Sequence, residues 1–187
     1  MYSLPKTIDN CYIGYIKCSV NTNLEIKPEI FSSNLIFTKT KKKDQVAFKI
    51  NDLTFFVFGN SKNCLNVTGL KQIPNLFFLE SLIIPFLYNP QTDFLTKLKI
   101  DSIVVRGFNQ NFCKFYRKIK TDNATIQNLI GNHIIIKTYI KFPGFCLRFL
   151  QPKGGRSIMF FKSGKYHTLG YKNFNQIKQD FNLLFKC

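Results

Sequence analysis

Tryptophan is absent from this sequence, histidine is rare, and only 10 Asp and Glu stand against 27 Lys and Arg. The acidic residues are scattered, and no two of them sit at a spacing that suits a two-metal nuclease. No G-x-S-x-G, H-E-x-x-H or G-x-x-x-x-G-K-S/T segment occurs either. Catalysis is therefore not expected, and neither is a cofactor or a small-molecule substrate. The 6 cysteines include no C-x-x-C pair, and neither His133 nor His167 lies near two of them, which argues against a zinc site. Long apolar runs are missing too, since nothing reaches the ~18 residues that a membrane-spanning helix needs. No secretory leader is legible at the start, so reduced thiols in nucleus or cytosol are expected.

What the chain does have is positive charge, a balance of +17. A folded domain with that excess repels itself unless it meets a polyanion. Nucleic acid is the first partner to consider, ahead of an anionic membrane. A hydrophobic content of 45% excludes a disordered tail, and 187 residues suffice for one sizeable domain or two small halves with a real core.

Residues 8–17, IDNCYIGYIK, are rich in β-branched and aromatic side chains and read as a strand. LEIKPEIF, within 21–34, reads as a short helix, with Asn23 a candidate cap and Pro28 early enough to be tolerated. LIFTKT, QVAFKI, LTFFVFGN and CLNVTG follow as four extended runs, separated by KKKD, ND and NSKN, all turn chemistry. PNLFFLESLIIPFL, residues 74–87, is nearly all apolar and reads as a buried helix kinked or ended at Pro85.

Then the pattern begins again. Ile8-Asp-Asn-Cys-Tyr-Ile is matched by Ile100-Asp-Ser-Ile-Val-Val. An extra stretch, QNFCKFYRKIKTD, precedes a candidate helix at 124–132. HIIIKTYIK, FCLRFLQ, SIMFFKSG and KYHTLG repeat the four-strand series, and Phe174, Ile177, Phe181, Leu184 and Phe185 fall at helical spacing in a closing helix. Each half reads strand, helix, four strands, helix: an internal duplication, with residues 1–90 as one repeat and 91–187 as the other. A half with five strands has a sheet edge to hide. Pairing the halves edge to edge would give an α+β fold, one curved antiparallel sheet with helices on a single face.

In the second half a series of motifs runs Phe142-Pro143-Gly144, Arg148, Pro152-Lys153, Phe161-Lys162-Ser163-Gly164-Lys165, Gly170-Tyr171-Lys172. The first half carries Leu24-Glu-Ile-Lys, Val46-Ala-Phe-Lys-Ile and Thr68-Gly69-Leu70-Lys71. In order and in layout these resemble the core domain of the TATA-box-binding protein family, strongly in the second repeat and faintly in the first. The resemblance implies a saddle of two pseudo-symmetric repeats, helices on its convex face, whose concave sheet sits in a DNA minor groove.

Residue by residue it implies the following. Phe142 and Phe161 fall on one wedge pair, and Phe58 on one wedge of the other; such side chains insert between base steps and kink the duplex. The fourth wedge position is Lys43, which cannot wedge, so the two ends of a bound site should be kinked unequally. Asn10 and Tyr12, then Ser102 and Val104, fall on base-edge positions of the first strands, where alternation puts each pair on one face. A competing register sets Gln110-Asn111 there in place of Ser102. Asn66 and Thr68, then His167 and Leu169, fall on the contact positions of the last strands. Minor-groove edges of A·T pairs show only acceptors, to which Asn66 and His167 could donate. Lys49 and Arg148, with Lys62 and Lys165 beside the sheet corners, fall on phosphate-contacting positions, the source of affinity and salt dependence.

The function so implied is a DNA-bending transcription initiation factor acting on double-stranded A·T-rich promoter DNA. It needs no cofactor, no membrane and no small-molecule substrate, and its further partners are other initiation factors or RNA polymerase subunits. The departures at Lys43, His167 and Leu169 point to a specialised relative, a viral one among the options, working in the nucleus or in a cytoplasm where it transcribes. The alternative is a protein-interaction subunit that keeps the fold with weak or lost DNA binding. The apolar segment at 76–87, where the family has a basic exposed helix, favours that alternative.

Overall fold

The computed structural model describes residues 11–32, 35–40, 45–58, 63–89, 93–131, 133–139, 142–150 and 155–185. The chain divides into two compact units, Tyr15–Asp101 and Ser102–Cys187 with Met1–Gly14. The division runs through two long strands, β1 (Cys11–Thr22) and β6 (Leu95–Phe108), rather than through a linker.

In the first unit β1 is joined by β2 (Phe37–Lys39), β3 (Gln45–Ile50), β4 (Leu53–Phe58) and β5 (Cys64–Leu70), ordered β2-β3-β4-β5-β1 with antiparallel neighbours. Asn51-Asp52 closes β3 onto β4 as a two-residue hairpin: Ile50 pairs with Leu53, and Asn51 takes φ 53°, a left-handed conformation that Asn tolerates. Alternation then sorts β4, with Leu53, Phe55 and Val57 buried and Thr54, Phe56 and Phe58 half-buried on the other face. On the buried face Phe48 stacks on Phe55 with centroids 5.0 Å apart, and Phe31 and Phe37 complete the cluster.

Two expectations for this half are corrected. The helix expected around LEIKPEIF is a single 3-10 turn, Pro28–Ile30. Long-range pairing takes the bonds that a helix would have used: Ser32 N–H donates to the Phe86 carbonyl at 2.7 Å, and Tyr88 N–H to that of Ile30 at 3.1 Å. Residues 74–87 do form a helix, α1 (Leu76–Ile83), capped by Asn75, whose side chain accepts from Phe78 N–H at 2.7 Å. It gives way to a 3-10 turn (Ile84–Phe86) at Pro85, which has no N–H to continue the ladder. It is not a buried helix throughout, however. Leu79, Glu80 and Ile83 face the core, but Phe77 is 80% exposed.

The second unit sets β7 (Ile134–Tyr139), β8 (Phe142–Phe149), β9 (Ser157–Phe161) and β10 (Lys165–Leu169) beside β6, in the order β6-β10-β9-β8-β7. The extra stretch between β6 and β7 is itself a helix, α2 (Gln110–Thr121), capped by Asn109, whose side chain accepts from Asn111 N–H at 2.9 Å. Gln110 and Asn111 therefore open a helix, and it is Ser102 that lies on the strand. α3 (Asn123–Ile130) and α4 (Phe174–Phe185) follow at their expected places.

Phe112 of α2 centres the core of this unit. Its ring meets Phe160, Tyr166, Phe181 and Phe185 at centroid distances of 4.9, 5.4, 5.7 and 5.1 Å. Burying one such ring contributes about 1.5–3 kcal/mol, which fixes α2 and α4 on the same face of the strands. Apart from the 3-10 turn that replaces the first helix and the added α2, each unit shows strand, helical segment, four strands and helix, an α+β architecture as expected.

Candidate nucleic-acid interface

Cross-strand partners share a face of a sheet, so the registers give the surface residue by residue. In the first unit one row runs Thr38, Ala47, Phe56, Asn66, Ser19 from β2 to β1, and the next runs Lys49, Thr54, Thr68, Lys17. Phe58, opposite Gln45, belongs to the same face as Phe56. Lys49, Phe58, Asn66 and Thr68 are thus gathered on one face, with Lys17 and Phe56 beside them. Asn10, Lys43 and Lys62 lie outside the described residues.

In the second unit a row runs Arg106, His167, Met159, Cys146, Lys137 from β6 to β7, and another runs Leu169, Ser157, Arg148, Ile135. His167, Leu169 and Arg148 therefore share a face. Phe161, half-buried at the end of β9, pairs with Gly144, and the Phe142 backbone lies two residues before that glycine on β8. The Phe142 side chain lies outside the described residues. Ser102 is half-buried, and its hydroxyl accepts from Gly170 N–H at 3.3 Å. Val104 is only 2% exposed, so in this conformation it has almost no surface to offer a duplex.

The turn from β9 to β10, Lys162-Ser163-Gly164, holds Phe161 and Lys165 in place. Gly164 N–H donates to the Phe161 carbonyl at 2.9 Å, and Asn109 N–H donates to the Gly164 carbonyl at 3.0 Å. Gly164 sits at φ 81°, and a Cβ there would stand 2.7 Å from Cys113 Sγ and 2.9 Å from the Asn109 carbonyl oxygen. Only glycine meets both demands. The corner is thereby pinned to the start of α2.

Beside that corner opens a cavity of about 380 Å³, lined by Tyr12, Arg106, Phe108, Phe161, Lys165 and His167 among others. Tyr12 is 58% exposed there. Arg106 and Phe108 were not singled out from the sequence, although carrying the alternation of Ser102 and Val104 further along β6 reaches both. Arg106 lies across Gly14, where a Cβ would come 3.0 Å from its Nε and 3.1 Å from its Cδ. His167 sits with Nε2 3.1 Å from Met159 Sδ and its ring 6.0 Å from that of Phe161. Burial first, and the Arg106 charge second, hold its pKa below the ordinary 6.5, so the imidazole is neutral at pH 7.

Strands β7 to β10 carry no acidic residue, while Lys137, Arg148 and Lys165 join Arg106 on these rows and at the corner. Chemically, the face offers cations for phosphates, an aromatic ring at a corner, and a neutral imidazole able to donate or accept.

No family model matches the sequence, and no curated protein matches it. Among solved structures the chain is similar to the TBP of Methanococcus jannaschii, with a TM-score of 0.64 and 15% identity over 95% of this chain and 97% of that one. At that identity the likeness shows the fold, and the TBP-like fold expected from the motif order is what the chain has.

Proposed function

We propose that this chain is a non-catalytic DNA-binding factor that enters the minor groove of A·T-rich promoter DNA, bends it, and serves other transcription initiation factors as a platform. The observation that carries this reading is the corner of the second unit, where Phe161 and Lys165 stand beside Arg106 and a neutral His167. Phe161 supplies an apolar wedge for a base step. The cations neutralise phosphates, and a neutral His167 in the Nδ1–H tautomer, with Nε2 on Met159, has an N–H to donate to edges that present only acceptors. The balance of +17 and the TBP-like fold support the same reading. On the first unit Lys49, Phe58, Asn66 and Thr68 offer a cation, an aromatic ring and two hydrogen-bonding side chains on one face. Such a factor acts where its promoter lies, in the nucleus or in the cytoplasm of a cell infected by a virus that transcribes there.

The test is binding of an A·T-rich duplex labelled at both ends, at two salt concentrations, to the wild type and to Phe142→Ala/Phe161→Ala. Affinity should fall steeply with salt, energy transfer should rise on binding, and the variant should lose that rise. Salt-sensitive binding without bending, indifferent to the variant, would overturn the reading. The second reading, a protein-interaction subunit with lost DNA bending, would then stand on the exposed Phe77 of α1.

A further inference from the structure

Between α2, α3 and α4 of the second unit lies a groove of about 330 Å³ that the DNA reading does not use. Its floor is apolar: Phe115 from α2, Ile126 and Ile130 from α3, Leu184 from α4. Its rim is basic: Lys114 and Lys118, one helical turn apart on α2 and both exposed. Neither α2 nor α3 contains an acidic residue, and the one in α4, Asp180, is buried on Arg156 and Tyr171. The acidic residue nearest to them in sequence is Asp122, the C-cap of α2, so on the described helices the rim's own charge is Lys114, Arg117, Lys118 and Lys120 against one carboxylate at the α2–α3 junction. Lys118, in the last turn of α2, complements the helix dipole; Lys114 sits a turn further in, where that effect has faded.

We propose that this groove binds an acidic amphipathic segment of a partner protein, with Leu or Phe side chains seated on the floor and carboxylates on Lys114 and Lys118. An apolar floor under a basic rim asks for apolar anchors and negative charge on one element. A helix with anchors at i, i+3 and i+4 and acidic flanks supplies both. A nucleic acid would satisfy the lysines and leave the floor uncovered. Arg117 and Lys120 add exposed positive charge to the same helix, which favours a ligand with several carboxylates over a fatty acid with one. The volume stands at the low end of the range for ligand pockets, about 300–1,000 Å³, and suits a few anchoring side chains.

The test uses the full chain and a labelled peptide with Leu at helical spacing and Asp and Glu between, followed by fluorescence anisotropy. Its controls are a scrambled peptide of the same composition and dodecanoate. The ordered peptide should bind about tenfold tighter than the scrambled one. Lys114→Glu/Lys118→Glu, at two exposed sites, should weaken it by about tenfold or more without changing Tm or DNA affinity in proportion. Ile130→Glu, which changes the floor and leaves the rim, should weaken it as well. Equal binding of the scrambled peptide would mean that net charge alone attracts the ligand and would overturn the proposal. So would indifference to the charge reversal. Dodecanoate that binds more tightly than the peptide, with the same dependence on the two lysines, would overturn it in favour of a small amphiphile.

Discussion

The Tyr171 hydroxyl donates to Asp180 Oδ2 at 2.9 Å beneath α4, while Arg156 Nη2 reaches Oδ1 of the same carboxylate at 3.2 Å. The guanidinium also lies over the Tyr171 ring, 5.8 Å from its centroid. All three side chains are buried, so the Arg156 and Asp180 charges are tolerated only because they face each other and the Tyr171 hydroxyl. Asp180→Ala removes the carboxylate and leaves the cation in place, which should cost about 3–5 kcal/mol in urea unfolding. Tyr171→Phe removes one hydrogen bond to a charged group and should cost less, about 1.5–3 kcal/mol.

High pH should unfold the second unit through its phenols. Burial, before any neighbouring charge, pushes Tyr166 and Tyr171 well above the ordinary 10.0. The folded state keeps both protons where the unfolded chain releases them. Stability is therefore fully present below about pH 10 and falls as pH rises beyond it. Denaturant midpoints measured across that range should drop more steeply for the wild type than for Tyr171→Phe.

Arg106→Met should move the His167 pKa part of the way back toward 6.5, because the Arg106 charge is one of its two depressing causes and burial, the larger, remains. Proton NMR of the imidazole measures this directly. The unfolded chain takes up the proton first as pH falls, so the stability due to neutral His167 is present above about pH 6.5 and is lost as pH drops through the folded value. In DNA binding Arg106→Met should weaken affinity for all sequences alike and lower the salt slope by about 1, as the loss of one phosphate contact does. Gly14→Ala should reproduce part of that loss, since its methyl would displace the Arg106 stem from the sheet.

Gly164→Ala should destabilise the corner twice over, through a left-handed backbone and through contact with the Asn109 carbonyl. The backbone contribution alone is about 1–2 kcal/mol. A Tm unchanged by this substitution would mean that the β9–β10 turn does not hold Phe161 as described.

The strands were legible because their breaks carry turn chemistry and their faces alternate; Asn51 takes a left-handed φ just where ND separates two apolar runs. α4 was legible through Phe174, Ile177, Phe181 and Leu184, spaced for one helix face. α2 carried a signal as well: Phe112, Phe115, Tyr116 and Ile119 recur at helical spacing after Asn109. Matching the halves hid it, since the first has no counterpart and the stretch looks like a bare insertion. The 3-10 turn at Pro28 depends on partners at Phe86 and Tyr88, and no local pattern announces such bonds. Of the candidate site, the placing of Asn66 with Thr68 and of His167 with Leu169 on one face follows from alternation, whereas the rows across strands need the pairing registers. The bed of Arg106 is tertiary, because nothing along β6 reveals that the residue beneath it on β1 is a glycine.

A duplicated chain with equal halves offers any partner two equivalent ways round. α2 lies in the second half, and the described residues of the first hold only a 3-10 turn between β1 and β2. That difference removes the equivalence. A partner that recognises α2 can then tell the second half from the first, because no equivalent helix stands between β1 and β2 among the described residues.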